Sequence, residues 1–403
     1  MKEGLSTFGG TVTIITSMLG VGINFMPAAF RSIGYIQSVY FMMVVTFLTG
    51  LTLFSVAYSA HLNKSRSTKT YSSIAYDTNK YFGCVVDFCI VLSQVFVGIS
   101  YHKYMVSLIL LFLFGVDDKH PNFHIINIAT LFGTGILLYF LSLLKDLSSL
   151  KFTSYLSVFS VFYLIFFILS FYLAKGAEIQ SEGFNSYNND YGFGMGFFIL
   201  GMCCQVNMVS VYTEVENKSL RSLVCISTFG SVIGGMIYSA VGYFGYKIYG
   251  NSIGENDLIK NFCYKDSPMN LALKDSVFRI CPKIAVIGSI IVLFGSFPLQ
   301  LNPASSILLK IMGKTDDKSR TYLITALFGA MLFINSIPGI DLNVFLKILG
   351  ATFSNGIAFL FPSIYVILAI RKINLLSTLS ACTILFSIAA GGYILSTVSF
   401  AKN

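Results

Sequence analysis

The chain has 403 residues, of which 55% are hydrophobic and 11% charged, with a formal net charge of +9. A mean hydropathy of +0.74 and apolar runs of about 20 residues along the whole length exclude an ordinary soluble domain. The charge does not indicate nucleic acid, because the basic residues sit in short clusters between apolar runs, as the positive-inside rule expects.

The pattern predicts about eleven spans, near 7–31, 35–62, 81–115, 122–144, 151–174, 190–213, 222–249, 280–310, 320–338, 342–370 and 374–398. All are expected to be helical, since lipid offers the backbone no other partner. The first run, from about Ser6 to Phe30, is interrupted by Leu19-Gly20-Val21-Gly22-Ile23. Two glycines one residue apart favour unwinding. Unwound backbone at membrane depth is tolerated where it lines a cavity or meets a ligand. A broken helix near the midplane is how many secondary transporters build a substrate site. Leu19, Gly20, Val21 and Gly22 are therefore candidate substrate-binding positions. The competing reading of the glycines is a small-residue packing face.

Between the second and third runs, Thr70 to Tyr81 is too polar to span and reads as a short amphipathic helix on the cytosolic interface. The third run presents Ser93, Gln94 and Gly98 on one face, with Asp87 two turns nearer the cytosol. Gln94 is either a substrate contact or a structural polar contact. Asp87 is either a proton carrier, since intramembrane carboxylates are costly and often functional, or an interfacial acid paired with a Lys. His120 and His124 flank Pro121 near Asp117 and Asp118, and read as a mixed polar outer loop in preference to a metal site. In the sixth run Gln205 and Asn207 stand amid apolar neighbours, which is costly unless they face a cavity or another helix. Glu214 and Glu216 follow it as gate, helix-end or solvated charges. Lys103 and Lys347, near span ends, read as snorkelling residues.

Trp is absent, so Tyr35, Tyr81, Tyr172, Tyr191 and Tyr249 must supply the interfacial aromatic belt. Six of the eight cysteines (Cys84, Cys89, Cys203, Cys204, Cys225, Cys382) fall in spans as small packing residues. Cys263 and Cys281 lie in or beside one long loop and can pair if it faces an oxidising compartment. No zinc spacing occurs. There is no HExxH, G-x-S-x-G or Walker sequence, which leaves a membrane enzyme or primary pump without support.

Basic connections at Lys64 to Lys69, Lys145 to Lys151, Lys218 to Arg221, Lys310 to Arg320 and Arg371-Lys372 all fall on one side. They put the N-terminus in the cytosol and, with an odd number of spans, the C-terminus opposite. The sequons Asn63-Lys64-Ser65 and Asn217-Lys218-Ser219 then face the cytosol and escape glycosylation. No cleavable signal peptide is evident, because the first run is too long.

Several stretches in order resemble the amino acid/auxin permease family, in its neutral and vacuolar amino-acid transporter branches. They are Gly20-Val21-Gly22-Ile23 with Pro27-Ala28-Ala29-Phe30, then Leu144-Lys145-Asp146-Leu147-Ser148-Ser149-Leu150 with Thr153-Ser154-Tyr155. Next come Cys204-Gln205-Val206-Asn207 with Val211-Tyr212-Thr213-Glu214, Phe297-Pro298-Leu299 with Pro303, and Leu349-Gly350-Ala351-Thr352 with Phe361-Pro362. Two departures stand out. Ala304 replaces an Arg that many members carry after the eighth-span Pro, and Val12-Thr13-Ile14 lacks the His of some proton-coupled relatives.

The resemblance implies an all-α membrane protein of eleven helices in one transmembrane domain over 1–403. The first ten would form a leucine-transporter-type, five-plus-five inverted repeat (about 7–174 and 190–370), followed by a helix at about 374–398. It implies a secondary active transporter of neutral L-amino acids working by alternating access. Gly20 and Gly22 N–H groups would take the substrate carboxylate, and the backbone near Cys204, Gln205 and Asn207 the ammonium. Thr16 and Ser296 stand where sodium-coupled relatives present cation-coordinating oxygens. Either sodium or a proton would be the coupling ion, with no other cofactor. A multi-pass monomer in the plasma membrane or a vacuolar or lysosomal membrane is expected. A membrane-embedded amino-acid sensor is the alternative, disfavoured by tails too short to offer a docking surface.

Overall fold

The computed structural model describes residues 5–62, 70–117, 120–143, 151–176, 183–254, 257–274, 276–314, 316–337, 342–370 and 374–398. The sequon at Asn63, the loop motif from Leu144 to Leu150, and Asp118, Arg371 and Lys372 lie outside these residues, as do the side chains of Thr153, Ser154 and Leu299.

Among the described residues, nine helical stretches are long and apolar enough to cross a bilayer, and a tenth span is the bent pair α1 (Thr7–Met18) and α2 (Met26–Ile33). α14 (Asp317–Ser336), at the place of the expected ninth span, is a further 20-residue helix that falls short of the apolarity of the others. The others are α3 (Tyr35–Leu62), α5 (Lys80–Ile109), α6 (Phe123–Leu143), α7 (Lys151–Lys175), α8 (Tyr191–Gly201) with α9 (Gln205–Glu214), and α10 (Leu220–Tyr249). They continue with α13 (Cys281–Ile311), α15 (Leu342–Leu349) running on into α16 (Phe361–Ile370), and α17 (Leu375–Ser396). The interfacial helix is present as α4 (Tyr71–Thr78). Two short helices, α11 (Leu258–Cys263) and α12 (Pro268–Ala272), occupy the long loop between the seventh and eighth spans.

Helix starts follow from capping chemistry. Side-chain oxygens of Ser6, Asp190, Asp257 and Asp316 accept first-turn N–H groups, and Thr70 and Asn374 form reciprocal capping boxes. Gly34 ends α2 with φ of 95°, and a Cβ there would lie 2.5 Å from the Ser186 carbonyl oxygen. Only glycine meets both conditions.

The chain divides into two compact units. The first comprises residues 1–90, 185–240 and 347–403. In it α2 packs on α8, α3 on α9 and α16, α1 on α9, and α17 on α8 and α16. The sixth span is the most enclosed, with 72% of its central window buried against 28% for the fourth and fifth. The tenth span widens to i→i+5 turns at Gly350–Ser354 and Gly356–Leu360. There α8 comes so close that a Cβ on Gly350 would stand 2.3 Å from the Gly196 carbonyl oxygen.

The second unit comprises residues 91–184 and 241–346, with α7 on α13, α6 on α13 and α14, and α11 on α13. His102 is buried there, Nε2 at 3.1 Å from the Thr134 hydroxyl and Nδ1 at 3.3 Å from the Asn335 amide nitrogen. A neutral ring accepting at Nδ1 satisfies both contacts. Outward-facing Tyr40, Met43, Phe47, Phe140 and Phe166 are exposed, as a lipid-facing surface requires.

Cys263 and Cys281 are both free thiols. Cys263 ends α11 with its thiol on the Ile259 carbonyl, so the pairing that the sequence allowed is absent here.

Candidate functional site

The first break is short. α1 closes with the Leu19 N–H on the Ile15 carbonyl at 3.0 Å, Gly20 is extended, and a tight turn over Val21–Phe25 leads into α2 at 54° to α1. Gly20 gives its carbonyl to Ile23 N–H at 3.2 Å. The N–H groups of Gly20, Val21 and Gly22 have no partner among the described residues. They are orphan donors at the start of a helical segment, where the dipole favours an anion. Val21 is buried, while Leu19, Gly20 and Gly22 are half-buried.

The second break falls at Met202 to Cys204, between α8 and α9. Gln205 and Asn207 therefore belong to the first turn of α9. The Cys204 carbonyl accepts Asn207 N–H at 3.0 Å, and the Gln205 side-chain oxygen accepts Cys204 N–H at 2.9 Å. The Gln205 amide nitrogen donates to the Thr52 hydroxyl on α3 at 3.1 Å. Gln205 is fully buried and Asn207 exposed. The carbonyls of Gly201, Met202 and Cys203 accept no hydrogen bond among the described residues. Free acceptors thus lie just before the positions read from the sequence.

The two breaks meet within the first unit. A Cβ on Gly22 would lie 3.6 Å from Gly201 Cα, and Phe25 stacks on Phe197 with ring centroids 5.0 Å apart. Tyr238, from α10, is buried beside both. Its hydroxyl donates to the Met18 carbonyl at 2.5 Å and stands 3.9 Å from the Gly22 Cβ position, and its ring lies 3.4 Å from that of Gly201. Nothing local in the sequence marks Tyr238 or Thr52, since each acts on a residue more than 150 positions away.

The remaining candidates are placed one by one. Gln94 is half-buried in the second unit, with its amide oxygen buried and unpartnered. Thr16 donates its hydroxyl to the Val12 and Thr13 carbonyls at 3.0 Å, which leaves its oxygen lone pairs available. Ser296 is half-buried on α13 of the second unit. Asp87 is 1% exposed, and one carboxylate oxygen accepts the Tyr76 hydroxyl from α4 at 2.8 Å. Its other oxygen is buried without a partner. Its neighbour is thus a tyrosine, where the interfacial reading had placed a Lys. Burial, with Cys84 and Asp87 adding to it, holds the Tyr76 phenol well above its ordinary range, so it remains a donor. Leu5 pairs by backbone with Glu214 and Glu216, tying the start of α1 to the exit of α9.

The family model described as transmembrane amino acid transporter protein matches residues 3–401. The chain belongs to that family. It is a multi-pass membrane transporter and not an enzyme. It is 26% identical over 365 residues to vacuolar amino acid transporter 5 of Schizosaccharomyces pombe, covering 88% of this chain and 82% of the relative. It is 24% identical to amino acid transporter AVT6D of Arabidopsis thaliana, covering 94% of this chain and 88% of that one. A putative sodium-coupled neutral amino acid transporter 8 of Xenopus tropicalis is 22% identical, with 91% and 86% covered. Among solved structures, the fold is shared with MHP1, a nucleobase-cation-symport-1 family transporter, at a TM-score of 0.58 and 12% identity over 100% of this chain and 95% of that one. It is also shared with a manganese transporter of Eremococcus coleocola at 0.64 and 11%, over 96% and 85%.

Proposed function

We propose that this protein moves neutral L-amino acids across its membrane by alternating access, coupled to protons. One observation carries the substrate reading: three orphan N–H groups at Gly20–Gly22 stand near a stretch of free carbonyls at Gly201–Cys203, with room for about one added carbon between Gly22 and Gly201 Cα, which would lie 3.6 Å from a Gly22 Cβ. The first set suits a carboxylate and the second an ammonium, the two groups common to all α-amino acids. Neither break segment, 19–25 or 201–207, carries an Asp or Glu to match a cationic substrate, which favours a neutral one.

The five-plus-five repeat has two supports. Breaks fall in spans one and six. The compact-unit division also returns after five spans for four of the five pairs, with one and two, then six and seven, mainly in the first unit, and three and four, then eight and nine, mainly in the second; span five, in the second unit, and span ten, mainly in the first, differ. Proton coupling rests on Asp87, a buried carboxylate with an open oxygen and no cationic partner. Thr16 and Ser296 are the sodium alternative. The name of the Schizosaccharomyces pombe relative points to a vacuolar membrane, and the basic connections favour an N-terminus in the cytosol.

Uptake of labelled neutral amino acids into proteoliposomes under an imposed proton or sodium gradient tests the whole reading. Acid-driven uptake that fails in Asp87→Asn, while substrate exchange persists, is the expected result. Uptake that follows sodium and is lost in Ser296→Ala would replace Asp87 by the hydroxyl pair. A protein that binds amino acids without moving them would be a sensor.

A further inference from the structure

The loop between the seventh and eighth spans holds a second buried carboxylate. Asp257 caps α11 and is 1% exposed. Its Oδ1 accepts the Tyr104 hydroxyl from α5 at 2.5 Å and the Lys260 N–H at 2.9 Å. Its Oδ2 is buried with no partner. The Asp257 carbonyl is taken by the Asn261 amide at 3.0 Å, so the start of α11 is otherwise satisfied. The orphan oxygen is the single open polar atom of this cap, and a bare carboxylate there is costly.

The groups acting on it are few. Lys260, on the same helix, attracts it without an ion pair, and its ammonium lies 5.9 Å from the centroid of the Tyr104 ring. Tyr104 comes from α5, and Cys263 follows on α11 with its thiol pushed up to about 12, by burial first. The wide turn that follows α5, Leu110–Phe114, packs on α11 and carries no titratable group. α13 packs on it too, with Cys281, Lys283 and Lys310, none of which bonds Asp257. No other His, Cys, Asp or Glu converges to hold a metal among the described residues. A proton needs one oxygen, whereas a metal cation needs several.

We propose that Asp257 and Tyr104 form a proton-binding site on the face opposite the N-terminus, and that the proton held there keeps α11 docked. Seven spans separate this loop from the N-terminus, an odd number, which fixes the face. Burial raises the carboxyl above its ordinary 3.8, with Lys260 and the two hydrogen bonds opposing. A group raised in the docked state supports docking fully below its free value and loses that support as pH rises through the raised one. Acid outside therefore closes α11 onto α5 and α13, and a rise in pH through the raised value loosens it. The site shares no residue with the substrate breaks.

Hydrogen exchange of the full chain in lipid nanodiscs, corrected for intrinsic rates and followed from acid to neutral pH, tests this. Exchange at Leu258–Cys263 is expected to rise about tenfold per pH unit between the ordinary and raised carboxyl values, then level off. Asp257→Asn, which keeps a neutral capping oxygen, should remove that dependence. Tyr104→Phe deletes a donor that favours the charged form and should move the plateau to higher pH, which provides a second readout if Asp257→Asn does not fold. A flat wild-type profile, an unchanged profile in Asp257→Asn, or an unmoved plateau in Tyr104→Phe would overturn the site. None of these outcomes depends on transport.

Discussion

The two breaks use opposite means to the same end. At the first, backbone geometry does everything: Gly20 and Gly22 part the helix and leave donors bare, and no side chain of the segment caps them. At the second, a side chain intervenes. Gln205 takes the Cys204 N–H for itself and is braced by Thr52, so the donors are partly consumed while the carbonyls upstream stay open. One break is left receptive to an anion and the other to a cation. The asymmetry follows from which orphan groups are capped, since both ends of a broken helix start with both kinds.

The largest test of that contrast is at Gly22. The space beside it accepts a methyl, because a Cβ there makes only ordinary contacts at 3.6 and 3.9 Å. Gly22→Ala should keep the fold and much of the transport. Gly22→Leu should abolish uptake at normal expression, since the added bulk must enter the space between the breaks or push against Gly201 and Tyr238. Labelled uptake at matched protein level decides it, and normal uptake by Gly22→Leu would reduce the glycines to packing residues. Gly350→Ala is the control for packing alone: its Cβ would collide with Gly196 backbone and should cost about 1–3 kcal/mol of stability. It should lower melting temperature and abundance together, without a selective effect on substrate.

Gln205 comes next. Gln205→Ala leaves the Cys204 N–H buried without an acceptor, which costs about 1–3 kcal/mol. The second break should then bind anions less discriminately and melt at lower temperature. Thr52→Val removes only the brace and should have a smaller effect of the same sign. Equal stability of Gln205→Ala and wild type in a detergent melt would show that water caps the break as well as Gln205 does.

Local signals were enough for much of the architecture. Apolar run length gave the spans, because the bilayer leaves so few options for the backbone, and polarity marked the short helix at Tyr71–Thr78 as one that does not span. The Gly-x-Gly spacing located the first break for the same reason. The second was placed a few residues late. Cys204 to Asn207 contains the polar side chains, but Gln205 points its amide back onto the helix start, so the gap opens before it. Asp87 shows the limit from another side. The run left open whether it was a buried proton carrier or an interfacial acid, and its partner was not legible, because Tyr76 comes from a different helix.

Tyr238 was the least visible contributor, and the smallest effect is expected from it. Its hydroxyl binds the Met18 carbonyl, the last of α1, and so fixes where that half-helix stops. Tyr238→Phe keeps the ring against Gly201 and Gly22 and deletes the bond to Met18. A buried hydrogen bond of this kind contributes about 1 kcal/mol net. If it served stability alone, the variant would show a lower melting temperature with KM unchanged. If it orders the backbone that carries the Gly20–Gly22 donors, substrate binding weakens while the translocation rate does not. The expected result is a KM raised about five- to tenfold at similar Vmax, with little change in melting temperature. A unique cost in Vmax would instead assign Tyr238 to the motion between states, and no change in any of the three would leave the first break held by its glycines alone.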